Sequence, residues 1–102
     1  MITFVRTANI HDGKMQDAMA WAVKTATYIS QNLGVNVQVM RNVGGLVSQV
    51  HWVSNYASLA DFEASMTKIV ADAGYQQLLA EGGAGGLFAA NSIVDNLYAS
   101  AS

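Results

Sequence analysis

The chain has 102 residues, of which 52% are hydrophobic and 12% charged, with a formal net charge of -2. That length suits one domain and is too short for two ordinary ones, and the composition excludes a disordered chain, which lacks the apolar area to offset its ordering entropy. The few basic residues, Arg6, Lys14, Lys24, Arg41 and Lys68, are scattered, which excludes nucleic acid as a partner because phosphate backbones need clustered positive charge.

There is no cysteine, so disulfides and thiolate chemistry are absent. The first residues lack the charged, then apolar, then small-residue pattern of a signal peptide. No apolar run approaches the roughly 18 residues of a membrane span. A cytoplasmic location is therefore expected. The low charge is unusual for a small monomer and suggests that another copy of the chain covers part of the surface.

Residues 2 to 10 read as a strand, with Ile2, Phe4 and Arg6 on one face and Thr3, Val5 and Thr7 on the other. His11, Asp12 and Gly13 form a turn in which Asp12 is expected to cap the next helix. That helix runs to about Leu33 on a stripe of Met15, Met19, Ala22, Ala26, Ile29 and Leu33, with Gly34 as its left-handed stop. A second stripe, Asp17, Trp21, Lys24 and Tyr28, pairs large rings with charges. Those rings either face solvent or are covered by a tail or a partner subunit.

Residues 35 to 43 alternate cleanly, with Val35, Val37 and Val39 on one face and Asn36, Gln38 and Met40 on the other. Gly44 and Gly45 suggest a tight hairpin. The third strand spans roughly residues 46 to 55, one face carrying Leu46, Ser48, Val50 and Trp52, the other Val47, Gln49, His51 and Val53. Ser58 with Asp61 three residues on marks the start of a second helix. Its stripe is Leu59, Phe62, Met66, Ile69 and Ala73. Gly74, about 1 kcal/mol worse than alanine inside a helix, predicts a kink or break, followed by a short helix over residues 75 to 81. The glycine-rich residues 82 to 86 read as a flexible connection, because a phosphate cradle would follow a strand and carry a lysine. Residues 87 to 98 form a last strand, so residues 1 to 98 make one domain and residues 99 to 102 a frayed tail.

The order is β-α-β-β-α-β. Right-handed crossovers place both helices on one face of a four-stranded antiparallel sheet. The other face, a mixture of Gln, Asn, Met, His and Val, is left without cover, which argues for a homodimer joined sheet face to sheet face.

Two local patterns add a resemblance. The first is Arg6, a turn, Gly13 and Lys14, then a helix with Ala18, Trp21, Ala22, Ala26 and Tyr28. The second is residues 58 to 63, Ser-Leu-Ala-Asp-Phe-Glu, then residues 71 to 76, Ala-Asp-Ala-Gly-Tyr-Gln, with Leu78 and Leu79 behind. Together they resemble the dimeric α/β-barrel (ferredoxin-like) superfamily, closest to small NIPSNAP-like proteins and more distantly to antibiotic-biosynthesis monooxygenases. A proline common in such family turns is absent here. The resemblance implies a homodimer with a cavity between sheet and helices or within the barrel. It allows cofactor-free oxygenase chemistry on phenolic or quinone-like compounds, haem degradation, isomerisation, or no catalysis.

The residues nominate few catalysts. His51 is a candidate general base or haem ligand, or a structural histidine at the dimer seam. Arg6 offers a donor fork for a carboxylate or oxyanion, or an ion pair within the chain. Gln38, Gln49 and Asn91 are candidates for orienting a ligand, Trp52 and Phe88 for lining an aromatic pocket, and Tyr75 for closing it with its hydroxyl. His11 sits in a turn and is expected to be solvated. No pattern calls for a cofactor, and none of the carboxylates pairs with the histidines at metal-ligand spacing. The expected function is binding of a small hydrophobic or aromatic molecule, with or without monooxygenase-like chemistry. The alternatives are a self-associating or protein-binding module without catalysis, and haem binding through His51.

Overall fold

The structure, a computed structural model, describes residues 1–101, so Ser102 of the expected tail lies outside the described residues. The elements are β1 (Ile2–Asn9), α1 (Met15–Leu33), β2 (Val37–Arg41), β3 (Gln49–Tyr56), α2 (Leu59–Ala71), α3 (Ala73–Ala84) and β4 (Val94–Ala99). The strands form one antiparallel sheet in the order β2-β3-β1-β4.

Register follows from alternation, because directly opposed residues in antiparallel strands share a face. Arg6 stands opposite Trp52 and Asp95, while Val5 stands opposite Val53 and Asn96. Phe4, Ala8, Val50, Ser54 and Tyr56 are buried beneath the helices. Both helical layers cover this side, as expected. The other side, with Thr7, His51 and Met40 in one row, has no cover among the described residues.

The ends of α1 show one expectation met and one corrected. Gly34 adopts φ 72° and closes the helix in the left-handed region. Asp12 does not cap it. The backbone turns from His11 to Lys14 (N···O 3.0 Å), Gly13 takes φ 79°, and Lys14 becomes the capping position with no side-chain bond. Asp12 is thus spent in the turn, upstream of the helix's first free N–H groups.

In α2 the Ser58 hydroxyl accepts from the Asp61 N–H at 3.1 Å, as its spacing predicts. The break after α2 falls at Asp72, not at Gly74. Asp72 is extended (φ -76°, ψ 125°), and its carboxylate accepts from the Tyr75 N–H at 2.9 Å, capping α3. Gly74 lies inside α3, where a Cβ would stand 2.0 Å from the Tyr28 hydroxyl. The glycine admits a side chain from α1 rather than bending the helix.

The two rings of the second stripe, Trp21 and Tyr28, are covered by α3, a neighbour from the same chain, while Asp17 and Lys24 stay exposed. The Trp21 indole donates to the Leu78 carbonyl at 2.9 Å, Lys24 pairs with Glu81 at 3.3 Å, and the Tyr28 hydroxyl donates to Asp72 at 2.6 Å. Residues 82–84 complete α3, and Gly82 is buried because its Cβ would come within 2.8 Å of the Trp21 ring. The glycine run is therefore a helix end shaped to tryptophan before it is a connection.

The Tyr28 hydrogen bond holds the Asp72 carboxyl below the ordinary carboxylate range, with the Tyr75 N–H adding to it, and pushes the Tyr28 phenol up. A carboxyl depressed in the folded state contributes stability above its unfolded pKa and loses it as pH falls through the folded value. Tyr28→Phe is therefore expected to be less stable than wild type at pH 7, with a smaller difference at pH 3. Urea unfolding at the two pH values measures this.

The tight hairpin is replaced by a wide loop over residues 42–48, in which Gly45 has φ 71° and the Asn42 amide donates to the Leu46 carbonyl and to Gln49. Leu46 and Ser48 lie in this loop, outside β3. The last strand is shorter than expected. Residues 87–93 run irregularly, touching the sheet through an Ile10–Phe88 bridge, and Asn91 turns with φ 57°. Ser92 holds that turn, accepting from the Asn9 N–H and donating to the Ala89 carbonyl. Beyond β4 the Ser100 N–H donates to the Met1 carbonyl at 3.0 Å.

Candidate functional site

Between the sheet and the helices lies a cavity of about 100 Å³. Its floor is the inward face of the sheet: Phe4, Arg6 and Ala8 from β1, Val37 from β2, and Trp52, Ser54 and Tyr56 from β3. Alternation places these residues there, since each is an even step along its strand. The roof is formed by Trp21, Thr25 and Ile29 of α1, Met66 and Ile69 of α2, and Tyr75 and Leu79 of α3. Phe88 and Ile93 close one side. Leu79 and Ile93 are also exposed to solvent, which marks the mouth.

Aromatic rings set the shape. Trp21, Trp52 and Phe88 meet edge to face with centroids 5.5 to 6.1 Å apart, the arrangement that ring quadrupoles favour. At the other end Phe62 packs on Phe4 at 5.2 Å and on Tyr56 at 5.3 Å. Both indole N–H groups are used within the chain, Trp21 on Leu78 and Trp52 on the Ala22 carbonyl at 3.3 Å. The Thr25 hydroxyl donates to the Trp21 carbonyl at 2.9 Å.

Arg6 makes a two-pronged ion pair with Asp95, Nε to Oδ1 at 2.8 Å and Nη2 to Oδ2 at 2.9 Å. The pairing raises the Arg6 pKa above its ordinary value; burial opposes the rise and Tyr75 adds to it. Its guanidinium also lies 5.8 Å from the centre of the Phe4 ring. The ion pair within the chain, one of the two readings of Arg6, is therefore present.

The nominated residues divide between two faces. Arg6, Trp52, Tyr75 and Phe88 line the cavity. Gln38, Gln49 and His51 lie on the uncovered face of the sheet, and Asn91 sits exposed in the turn before β4. His51 does not share a space with Arg6. Its Nδ1 meets the Thr7 hydroxyl at 2.7 Å and its Nε2 meets the Asn42 side-chain oxygen. The chain of bonds continues from Asn42 to Gln49 and from Gln49 to Asn9, each at 3.0 Å. Because Asn42 presents an acceptor, the neutral imidazole carries its proton on Nε2 and accepts from Thr7 through Nδ1. His11 is exposed in its turn.

The sequence reading missed Ser54 and Tyr56. Their signal was the continued alternation of Val50 and Trp52, two and four residues past the tryptophan.

The uncovered face carries Val5, Val53, Met40, Val94 and Tyr98 among Thr, Asn and Gln side chains. Among the described residues none of its strand positions holds Asp, Glu, Lys or Arg; Arg6, Arg41 and Asp95 all fall on the helix side.

A one-sided helical layer over a β2-β3-β1-β4 antiparallel sheet, with an apolar cavity between them, defines a ferredoxin-like α+β domain. The NIPSNAP family model matches residues 4–92, and the chain belongs to that family. No curated protein matches it. Among solved structures it is similar to a NIPSNAP family protein from Agrobacterium tumefaciens, with 22% identity, a TM-score of 0.73, and 96% of this chain and 90% of that one covered. A NIPSNAP-like domain protein from Burkholderia xenovorans has 13% identity and a TM-score of 0.80 over 99% of this chain and 85% of that one. SnoaB, a cofactor-independent oxygenase from Streptomyces nogalater, has 15% identity and a TM-score of 0.70 over 99% and 93%. At these identities the likeness is one of fold. No helix among the described residues is long and apolar enough to cross a membrane.

Proposed function

We propose that this protein binds a small, apolar or aromatic molecule in the cavity between sheet and helices, and that it does so as a homodimer joined through the uncovered sheet face. The observation that carries the reading is the cavity itself, about 100 Å³ of space walled by Trp21, Trp52, Phe88, Phe4 and Ile29. An engineered apolar cavity of roughly 150 Å³ stays dry and takes up benzene. Drug-sized ligands need roughly 300 Å³ or more, so the ligand here is a single ring or a short chain. Leu79 and Ile93 at the mouth give it a route in.

The uncharged sheet face supports the dimer. Burying it removes Val5, Val53, Met40 and Val94 from water without stranding an ionised group. The dimer also accounts for the low charge content of the chain.

Oxygenase chemistry like that named for SnoaB would need a group in the cavity able to take a proton from the substrate. The ionisable and hydroxyl groups in its wall are Arg6, which is held charged by Asp95, and Thr25, Ser54, Tyr56 and Tyr75. None is a ready base, so binding without chemistry is the reading favoured. Haem ligation by His51 has no support from the geometry, because both ring nitrogens are hydrogen-bonded on the far side of the sheet.

Toluene tests the proposal by thermal unfolding. A ligand bound only by the folded state stabilises it by mass action, and near saturation the melting temperature of the wild type is expected to rise by about 5 °C or more. Ala8 is buried in the cavity floor. Ala8→Val adds two methyl groups there and is expected to abolish the shift. No shift in the wild type, or an equal shift in both proteins, would contradict the reading.

A further inference from the structure

Most polar groups in the cavity wall are committed to the chain itself, and the Tyr75 hydroxyl lies against the Arg6 guanidinium. Thr25 and both indoles bond to backbone carbonyls, and Arg6 is paired with Asp95. Apart from these stand Ser54 and Tyr56, both buried, on one face of β3 two residues apart, with hydroxyl oxygens 3.0 Å apart. Two hydroxyls carry two protons, and a single bond between them uses one. Whichever oxygen donates to the other, a second proton remains, and among the hydrogen bonds of the described residues it has no protein acceptor. A buried donor without a partner is costly, and this one belongs to side chains that line the cavity.

We infer that the Ser54–Tyr56 pair is the polar anchor of the cavity and selects an uncharged one-ring ligand bearing a hydrogen-bond acceptor, a carbonyl or ether oxygen. This rests on the cavity reading above and narrows it. The acceptor follows from the spare proton. The single ring follows from the volume. Neutrality follows from the ion pair: Arg6, the one ionised residue in the wall among the described residues, is matched charge for charge by Asp95. An entering carboxylate would bring a negative charge with no free countercharge into an apolar space, at a cost far above one hydrogen bond. Arg6 is thus a fixed part of the wall and not an anion clamp.

Three probes of similar size separate these terms: cyclohexanone, methylenecyclohexane, in which CH2 replaces the carbonyl oxygen, and cyclohexanecarboxylate. The chain has two tryptophans, Trp21 and Trp52, and both line the cavity. Their indole N–H signals in 1H–15N spectra report occupancy directly. Wild type is expected to bind cyclohexanone about five- to tenfold more tightly than methylenecyclohexane, the worth of one hydrogen bond, and the carboxylate is expected to leave both signals unmoved. The double variant Ser54→Ala, Tyr56→Phe removes both hydroxyls while keeping shape, a change that is close to neutral for folding when both partners go together. In it the preference is expected to reverse, because the buried ketone oxygen then has no donor while methylenecyclohexane binds as before. Ser54→Ala alone leaves the tyrosine proton and keeps the preference.

Equal binding of ketone and hydrocarbon to wild type, a preference that survives the double variant or is lost in Ser54→Ala, or carboxylate binding on a par with the ketone would each overturn the inference while leaving the cavity reading in place. Failure of all three probes to move either indole signal would overturn both.

Discussion

Gly74→Ala is expected to destabilise the protein by about 2–3 kcal/mol, the upper part of the range for overpacking a well-filled site. The sign is opposite to the helix-propensity expectation, under which an alanine in place of a helical glycine gains about 1 kcal/mol. The reason is local. A Cβ on residue 74 would stand 2.0 Å from the Tyr28 hydroxyl and 2.5 Å from the ring carbon that bears it. Tyr28 cannot step aside freely, because its hydroxyl is bonded to Asp72, which in turn caps α3 through the Tyr75 N–H. Moving the ring loosens both the α1–α3 contact and the start of α3. Chemical denaturation of the single variant and of Gly74→Ala in a Tyr28→Ala background separates the two effects. In that background the alanine is expected to cost nothing or to stabilise. If Gly74→Ala stabilises the otherwise wild-type protein, the packing account of this glycine is wrong.

The second large effect concerns the uncovered sheet face. Val53→Lys places a charge at its centre, opposite Val5 and Gln38. In a two-fold dimer the change occurs twice, and each buried unpaired charge costs about 3–5 kcal/mol. The dissociation constant is therefore expected to rise by at least about 100-fold, read by sedimentation velocity over a concentration series. Gln31→Lys, on an exposed position of α1, adds the same charge away from the face and is expected to leave association unchanged. A wild-type protein that stays monomeric across the series would remove the dimer from the account, and the ligand cavity, which lies within one chain, would remain.

Much of the fold was legible in the sequence because alternation and helical periodicity report directly on which side chains are buried. Clean alternation over residues 35 to 43 placed Val37 and Val39 inward, and Ser58 with Asp61 located the start of α2. What periodicity does not show is which partner covers a face. The rings of Trp21 and Tyr28 looked half exposed because their cover, α3, was expected to be a shorter helix beyond a kink. The two glycines that let α3 approach, Gly74 and Gly82, read as breakers. A glycine at a close helix approach and a glycine at a helix break look alike in one sequence. Only the neighbouring surface tells them apart.

The site was legible in part, for a related reason. Arg6, Trp52 and Tyr75 were chosen for their chemistry and do line one cavity. His51 was chosen the same way, yet its alternation sets it on the opposite face with Gln49, where Thr7 and Asn42 hold it. Tyr56 was passed over because the third strand was expected to stop at residue 55, and Ser54, inside that strand, was left off the face that carries Val50 and Trp52. Asn91 was expected in a strand, but Ser92 and the positive φ of Asn91 itself make the segment a turn.

Xenon under pressure offers the most direct check on whether an apolar ligand site lies between sheet and helices, since the gas occupies empty apolar cavities and ignores polar ones. Diffraction from pressurised crystals is expected to show a bound atom among Phe4, Ile29, Trp52 and Ile69, absent from Ala8→Val. Side chains that fill this space, with no xenon between them, would contradict the account.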